Sequence, residues 1–67
     1  MTNMNYIHPG AKLHPSVQVG PFSCIHGDVE IGEGTIIDSN VTIHDGVRIG
    51  KNCHIHAGAV IGGDPQD

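Results

Sequence analysis

The sequence predicts an all-β fold in which many short parallel strands coil around a common interior. Two observations predict it: aliphatic side chains recur at every sixth position, and the apolar residues are mostly branched at Cβ, with nine Ile and six Val against one Leu. Residues branched at Cβ favour extended strands and are weak helix formers. The composition therefore argues against a helical bundle.

The chain has 67 residues, which is enough for one domain at most or for part of one. We divide it into a short N-terminal lead-in, residues 1–6, and a repeat region, residues 7–67, with an open C-terminal end. The expectation is a truncated solenoid, because the coil edge at the end of the sequence has no visible cap.

The aliphatic repeat starts at Ile7 and continues in steps of six residues. It occupies Ile7, Leu13, Val19, Ile25, Ile31, Ile37, Ile43, Ile49, Ile55 and Ile61. From Leu13 onward, the position two residues earlier is always small or branched at Cβ: Ala11, Val17, Ser23, Val29, Thr35, Val41, Val47, Cys53 and Ala59. Side chains two apart point to the same side of a strand, so each hexad predicts one short strand with two inward residues.

Turn-forming residues occupy the position three after each aliphatic residue, with Phe22 as the exception. The column is Gly10, Ser16, Phe22, Asp28, Gly34, Asn40, Gly46, Asn52, Gly58 and Asp64. Gly, Asn, Asp and Ser favour corners. A period of six cannot follow a helix of 3.6 residues per turn, because the apolar position would move around the helix.

This alternation of strand and corner resembles the hexapeptide-repeat, left-handed parallel β-helix. The resemblance implies a three-sided prism with three hexads, or about 18 residues, per coil and a left-handed crossover. Residues 7–66 would then supply a little over three coils.

Residues 18 apart should stack on the same outer face of such a prism. His8, His26 and His44 would form one column, with neighbours about 5 Å apart. A second face would carry a charge ladder of modest stabilising effect, formed by Lys12, Glu30 and Arg48.

The third face carries an outward aliphatic residue, Ile36, which suggests a subunit contact. His54 and His56 lie two apart on one strand face, and with His44 of a neighbouring subunit they offer a possible metal site. Asp38 is expected one coil beneath His56. An outward polar ladder at a subunit interface is the favoured interpretation, with contact to a substrate as the other alternative, so we assign no metal ligand and expect no cofactor.

The composition also excludes several partners. The formal net charge is −4 and the basic residues are only Lys12, Arg48 and Lys51, which argues against nucleic acid. No apolar run is long enough to span a membrane. Cys24 and Cys53 are isolated, and the sequence starts without a secretory leader. We therefore expect a reducing, cytoplasmic location and no disulfide.

Several runs resemble the N-terminal coils of bacterial UDP-N-acetylglucosamine acyltransferases. They are residues 7–9 (Ile-His-Pro), 19–22 (Val-Gly-Pro-Phe) and 29–35 (Val-Glu-Ile-Gly-Glu-Gly-Thr). Residues 61–67 (Ile-Gly-Gly-Asp-Pro-Gln-Asp) are similar to an Ile-Gly-x-x-Pro-Gln-Asp segment that leads, in that family, into a loop leaving the prism. The resemblance covers residues 7–67.

The resemblance implies a homotrimer that moves a 3-hydroxyacyl group from acyl carrier protein to the 3-hydroxyl of UDP-N-acetylglucosamine, in lipid A synthesis. It also implies that Gln66 and Asp67 contact the nucleotide sugar or the acyl hydroxyl. None of the six histidines matches the family's general base. We therefore expect an N-terminal part of the enzyme that has no catalytic residue and is inactive alone.

Three alternatives remain open. The sister UDP-3-O-acylglucosamine N-acyltransferase has similar middle coils. In that family an Ile-Gly-x-Asp segment leads into a Gly-Phe-Gly run, whereas in this chain Pro65 follows Asp64. A non-enzymatic, self-assembling solenoid would explain the unmatched general base. A hexapeptide-repeat carbonic anhydrase would use interface histidines to bind zinc.

Overall fold

A computed structural model describes residues 4–63, which form ten two-residue β-strands and no helix. The strands are β1 (Tyr6–Ile7), β2 (Lys12–Leu13), β3 (Gln18–Val19), β4 (Cys24–Ile25), β5 (Glu30–Ile31), β6 (Ile36–Ile37), β7 (Thr42–Ile43), β8 (Arg48–Ile49), β9 (His54–Ile55) and β10 (Val60–Ile61). Within the same residues, no helix is available to cross a bilayer.

The strands form three parallel sheets with the orders β1-β4-β7-β10, β2-β5-β8 and β3-β6-β9. Each strand pairs with the one three strands later, so Ile25 lies against Ile43 and Ile37 against Ile55. Partners are therefore 18 residues apart. The predicted architecture is confirmed: the chain is a left-handed parallel β-helix of a little over three coils, with three hexads per coil.

The aliphatic column fills the interior, as predicted. Its central members are at most 3% exposed, and the outer ones pack partly buried against them. The central members are Ile25, Ile31, Ile37 and Ile43. Ile7 departs from the expectation because it is 39% exposed. It lies in the first coil and is covered by the next coil on one side only, through its partner Ile25.

Two buried hydroxyl groups join neighbouring coils. Ser23 Oγ donates to the carbonyl of Asp38 at 2.8 Å and accepts the N–H of Val41 at 3.2 Å. Thr35 Oγ1 likewise donates to the carbonyl of Gly50 at 2.7 Å and accepts from the next coil. The two buried hydroxyl groups therefore have hydrogen-bond partners in the backbone of the next coil, as buried polar groups generally do.

The backbone conformation at the corners explains why turn-forming residues recur at this position of the repeat. Asn40 and Asn52 have φ near +57°, and Gly34, Gly46 and Gly58 of the same column have φ between 77° and 90°. Asn and Gly tolerate this left-handed region. Phe22 adopts it too, with φ of 63° and a side chain that is 60% exposed. The repeat geometry thus overrides the residue's own preference, at a cost of about 1–2 kcal/mol.

The backbones of neighbouring coils approach closely at two glycines that follow strands. A Cβ at Gly20 would lie 2.8 Å from the backbone carbon of Asp38, and one at Gly32 would lie 2.9 Å from that of Gly50. Such distances are well inside van der Waals contact. Gly20 therefore allows the coil that carries Asp38 to lie directly against the one below it.

Candidate functional site

The first outer face contains a small polar groove of about 310 Å³, which we call the imidazole groove. His26, His44, Asp45 and Gly63 line it. The rings of His26 and His44 are stacked with centroids 5.0 Å apart and planes inclined by 30°. This contact follows from the pairing of β4 with β7, and it confirms the predicted stack for these two histidines.

The third member predicted for that stack, His8, is oriented differently. Its Nδ1 accepts the N–H of Gly10 at 2.9 Å, and its ring lies edge-on to Tyr6 with centroids 6.5 Å apart. The expectation of a continuous three-ring column was wrong at this position. The N–H of Gly10, two residues along the chain, gives the His8 imidazole a hydrogen-bond partner within its own corner.

Asp45 places a carboxylate at the edge of the imidazole groove. Its Oδ1 accepts the N–H of Asp28 at 3.1 Å. This hydrogen bond is the main cause that lowers the pKa of Asp45; partial desolvation opposes it, and the positive charge of His26 lowers the pKa further. Asp45 therefore stays ionised to lower pH than a free aspartate. The groove thus combines a carboxylate acceptor with two imidazoles.

Arg48 forms two ion pairs on the second face. Its Nη2 lies 2.8 Å from Asp28 Oδ1, and its Nε lies 3.7 Å from Glu30 Oε2. The hydrogen bond that Arg48 donates to the Asp28 carboxylate is the main cause that raises the pKa of Arg48. The contact between Glu30 and Arg48 was predicted, whereas the shorter one to Asp28 was not. Within residues 4–63, Lys12 forms no ion pair with Glu30.

The third face brings Asp38, His54 and His56 together, and we call them the Asp-His-His cluster. His54 Nε2 lies 3.0 Å from Asp38 Oδ1. An ionised carboxylate only accepts hydrogen bonds, so Nε2 carries the hydrogen. The rings of His54 and His56 stack with centroids 4.5 Å apart. The sequence predicted that Asp38 lies beneath His56. The hydrogen-bond partner of Asp38 is instead the diagonal neighbour His54.

A wider, shallow groove of about 460 Å³ lies beside this cluster. Pro21, Ile36 and Ala57 contribute apolar surface to it, and Gln18 and Asp38 contribute polar atoms. Ile36 is 38% exposed, as its outward position predicted. The third face therefore combines an apolar surface with a group of potential ligands.

The two residues predicted to bind substrate, Gln66 and Asp67, lie outside the described residues. The described chain ends at Gly63, beside the imidazole groove. A Cβ on Gly63 would lie 3.5 Å from the ring carbon Cδ2 of His44. Both Gly62 and Gly63 have positive φ, 83° and 102°. Gly63, the last described residue, therefore lies next to His44.

Comparisons with known proteins agree with the repeat. The family described as bacterial transferase hexapeptide (six repeats) matches residues 10–44 and 28–63. The two matches overlap and together include β2 to β10. A comparison with curated proteins found no match.

Cys24 and Cys53 are both free thiols, as the sequence predicted.

Proposed function

This chain belongs to the bacterial transferase hexapeptide family, and from that premise we propose that it is part of an acyltransferase acting on a nucleotide sugar. The reaction we propose moves a 3-hydroxyacyl group from acyl carrier protein to the 3-hydroxyl of UDP-N-acetylglucosamine, in lipid A synthesis. One observation carries the choice of this reaction within the family. Residues 65–67 (Pro-Gln-Asp) follow closely after Gly63, which lines the imidazole groove.

The imidazole groove has the chemistry to hold part of such a substrate. Imidazole N–H groups of His26 and His44 can donate to phosphate or hydroxyl oxygens, and ionised Asp45 can accept from a sugar hydroxyl. The amide of Gln66 and the carboxylate of Asp67 add directional partners for hydroxyl groups. We therefore propose that Gln66 and Asp67 bind the nucleotide sugar beside this groove.

The transfer itself requires a general base. Our proposal assigns this role to no residue of the chain. The 3-hydroxyl gives its proton to the base, and its oxygen forms an ester with the acyl carbon as the thioester C–S bond breaks. The protonated base then gives the proton to the departing sulfur, which releases the carrier's thiol. None of the six histidines matches the family's general base. The role assigned to this chain is thus to bind and orient the nucleotide sugar within a cytoplasmic homotrimer.

We expect the 67-residue chain to bind UDP-N-acetylglucosamine, and Asp67→Asn to weaken that binding at least about tenfold. The physical reason is the loss of a charge-assisted hydrogen bond to a sugar hydroxyl, which is worth about 1.5–3 kcal/mol. Calorimetric titration measures the affinity. Nitrogen–proton NMR spectra should show shifts at His26, His44 and Asp45. Addition of acyl carrier protein loaded with a 3-hydroxyacyl group should give no turnover.

Asp64→Asn is the matched control, because it removes the same charge from the same segment at a position with no assigned contact. It should leave the affinity within about twofold of the original chain, since the proposal gives Asp64 no part in binding the sugar. Equal losses in Asp64→Asn and Asp67→Asn would contradict the proposed contact. Tighter binding of UDP-glucosamine than of UDP-N-acetylglucosamine would support the N-acyltransferase instead. Absence of saturable binding by either would favour a non-enzymatic solenoid.

A further inference from the structure

The Asp-His-His cluster on the third face has no role in the transfer reaction proposed above. We propose that Asp38, His54 and His56 bind a divalent transition-metal ion, for which Zn²⁺ is the best match. The proposal goes beyond acyl transfer and does not depend on it. It rests on how the repeat places three ligand side chains at one point on the surface of the prism.

The backbone explains why these side chains converge. His54 begins β9 and His56 follows that strand, so both side chains point outward from the same face. Asp38 follows β6, which pairs with β9 one coil later through the register Ile36 to His54. The carboxylate and both imidazoles therefore project from adjacent rows of a single sheet.

The ligand atoms are already close to a binding arrangement. One nitrogen or oxygen from each of the three side chains lies within 4.8 Å of the other two. Zinc sites with bonds of about 2.1 Å and tetrahedral angles place their ligand atoms about 3.4 Å apart. Closing the difference requires movements of about 1.4 Å. Side-chain rotation alone can supply that movement, because the His54 side chain is 50% exposed and that of Asp38 is 36% exposed.

The donor set favours one class of ion. Two imidazole nitrogens and one carboxylate oxygen suit Zn²⁺, Co²⁺ and Ni²⁺, whereas Mg²⁺ and Ca²⁺ prefer oxygen ligands. Three protein ligands leave a fourth position open to water or another small ligand. The ion would replace the present hydrogen bond between His54 and Asp38 and would join two coils.

The rest of the described chain shows that the convergence is specific to this face. Within residues 4–63, no other three His, Cys, Asp or Glu side chains bring their ligand atoms so close. His26 and His44 also stack, at 5.0 Å, but the nearby Asp45 Oδ1 already accepts the N–H of Asp28. This second pair of histidines therefore provides a matched control from the same molecule.

The test is a calorimetric titration of the full chain with ZnCl₂ in metal-free buffer containing a non-thiol reductant. We expect one Zn²⁺ per chain, NMR shifts centred on residues 38, 54 and 56, and no comparable binding of Mg²⁺. Asp38→Asn, His54→Gln and His56→Gln should each weaken Zn²⁺ binding at least about tenfold. His26→Gln and Asp67→Asn should bind Zn²⁺ like the original chain, which separates this site from the nucleotide-sugar site.

Three results would overturn the proposal. The first is unchanged Zn²⁺ affinity in both Asp38→Asn and His54→Gln. The second is an equal loss in His26→Gln, which would place the ion on the first face. The third is no saturable binding of Zn²⁺. Because all three ligands lie on the surface, circular dichroism and the NMR signals of Ile37 and Ile43 should show that every variant keeps the folded core.

Discussion

Replacing Ile37 with alanine should lower the free energy of unfolding by about 2–5 kcal/mol. Ile37 is 1% exposed and lies in the middle coil, between Val19 below and Ile55 above. Removing its side chain opens a cavity that the rigid coil spacing cannot close. A chain of this length has a total stability of only about 3–10 kcal/mol. The variant should therefore be largely unfolded at moderate urea concentrations at which the original chain stays folded.

Ile7→Ala is the matched control, because it removes the same atoms from the same hexad position. Ile7 is 39% exposed and lies in the first coil, where it pairs with Ile25. Its substitution should cost about 1 kcal/mol or less, since little apolar surface is lost from the interior. Urea unfolding followed by circular dichroism measures both variants. Equal destabilisation of the two would contradict a core in which burial increases from the ends to the middle.

Thr35→Val should destabilise the fold by about 1–3 kcal/mol, although the two side chains have nearly the same shape. Thr35 is fully buried. Its Oγ1 donates to the carbonyl of Gly50 at 2.7 Å and accepts the N–H of Cys53 at 3.2 Å. Valine leaves the Gly50 carbonyl and the Cys53 N–H without this partner, and both of the lost hydrogen bonds are partly buried. The expected loss is therefore electrostatic and not steric.

Thr42→Val provides the comparison, because Thr42 has the same side chain on the outer surface of β7. Its replacement should change the free energy of unfolding by less than about 0.5 kcal/mol. Both variants are measured by the midpoint of thermal unfolding and by urea titration. A Thr35→Val variant as stable as Thr42→Val would show that the buried hydroxyl does not hold the coils together.

The interior of this protein was predictable from sequence because one rule governs it. Each hexad needs an aliphatic residue at one position and a small residue two before it, so the period alone identified Ile25, Ile37 and Ile43 as core. The coil length of 18 residues required the family resemblance as well, because a period of six does not determine how many hexads close a turn. The register of Ile37 with Ile55 confirms that length.

Surface contacts were predicted less well, since side-chain rotation and not the repeat decides them. The columns placed Asp38 beneath His56, but its carboxylate contacts the diagonal His54. Arg48 contacts Glu30 as predicted, yet its shortest ion pair is with Asp28. Asp28 is a corner residue, and the column argument considered only the strand residues and the residues directly after them. Including corners and diagonal neighbours would have found both contacts.

For the candidate site as well, the sequence predicted which residues lie on the outside but not all of their contacts. The sequence identified His26, His44 and the pair His54 and His56 as outward residues, and the structure shows that each pair is stacked. It did not indicate that Asp45 would be held ionised by a backbone N–H from the previous coil, because that contact depends on the corner geometry. Gln66 and Asp67 stay predictions that depend on the family resemblance.

The most direct test of the coil is a set of through-space NMR contacts between backbone protons of the full chain. The structure predicts contacts between residues 18 apart on all three faces, for example Ile25 with Ile43, Ile31 with Ile49 and Ile37 with Ile55. Parallel neighbours about 4.8 Å apart bring these protons within range. Contacts at any other constant separation, or their absence on one face, would contradict a three-sided prism and every site placed upon it.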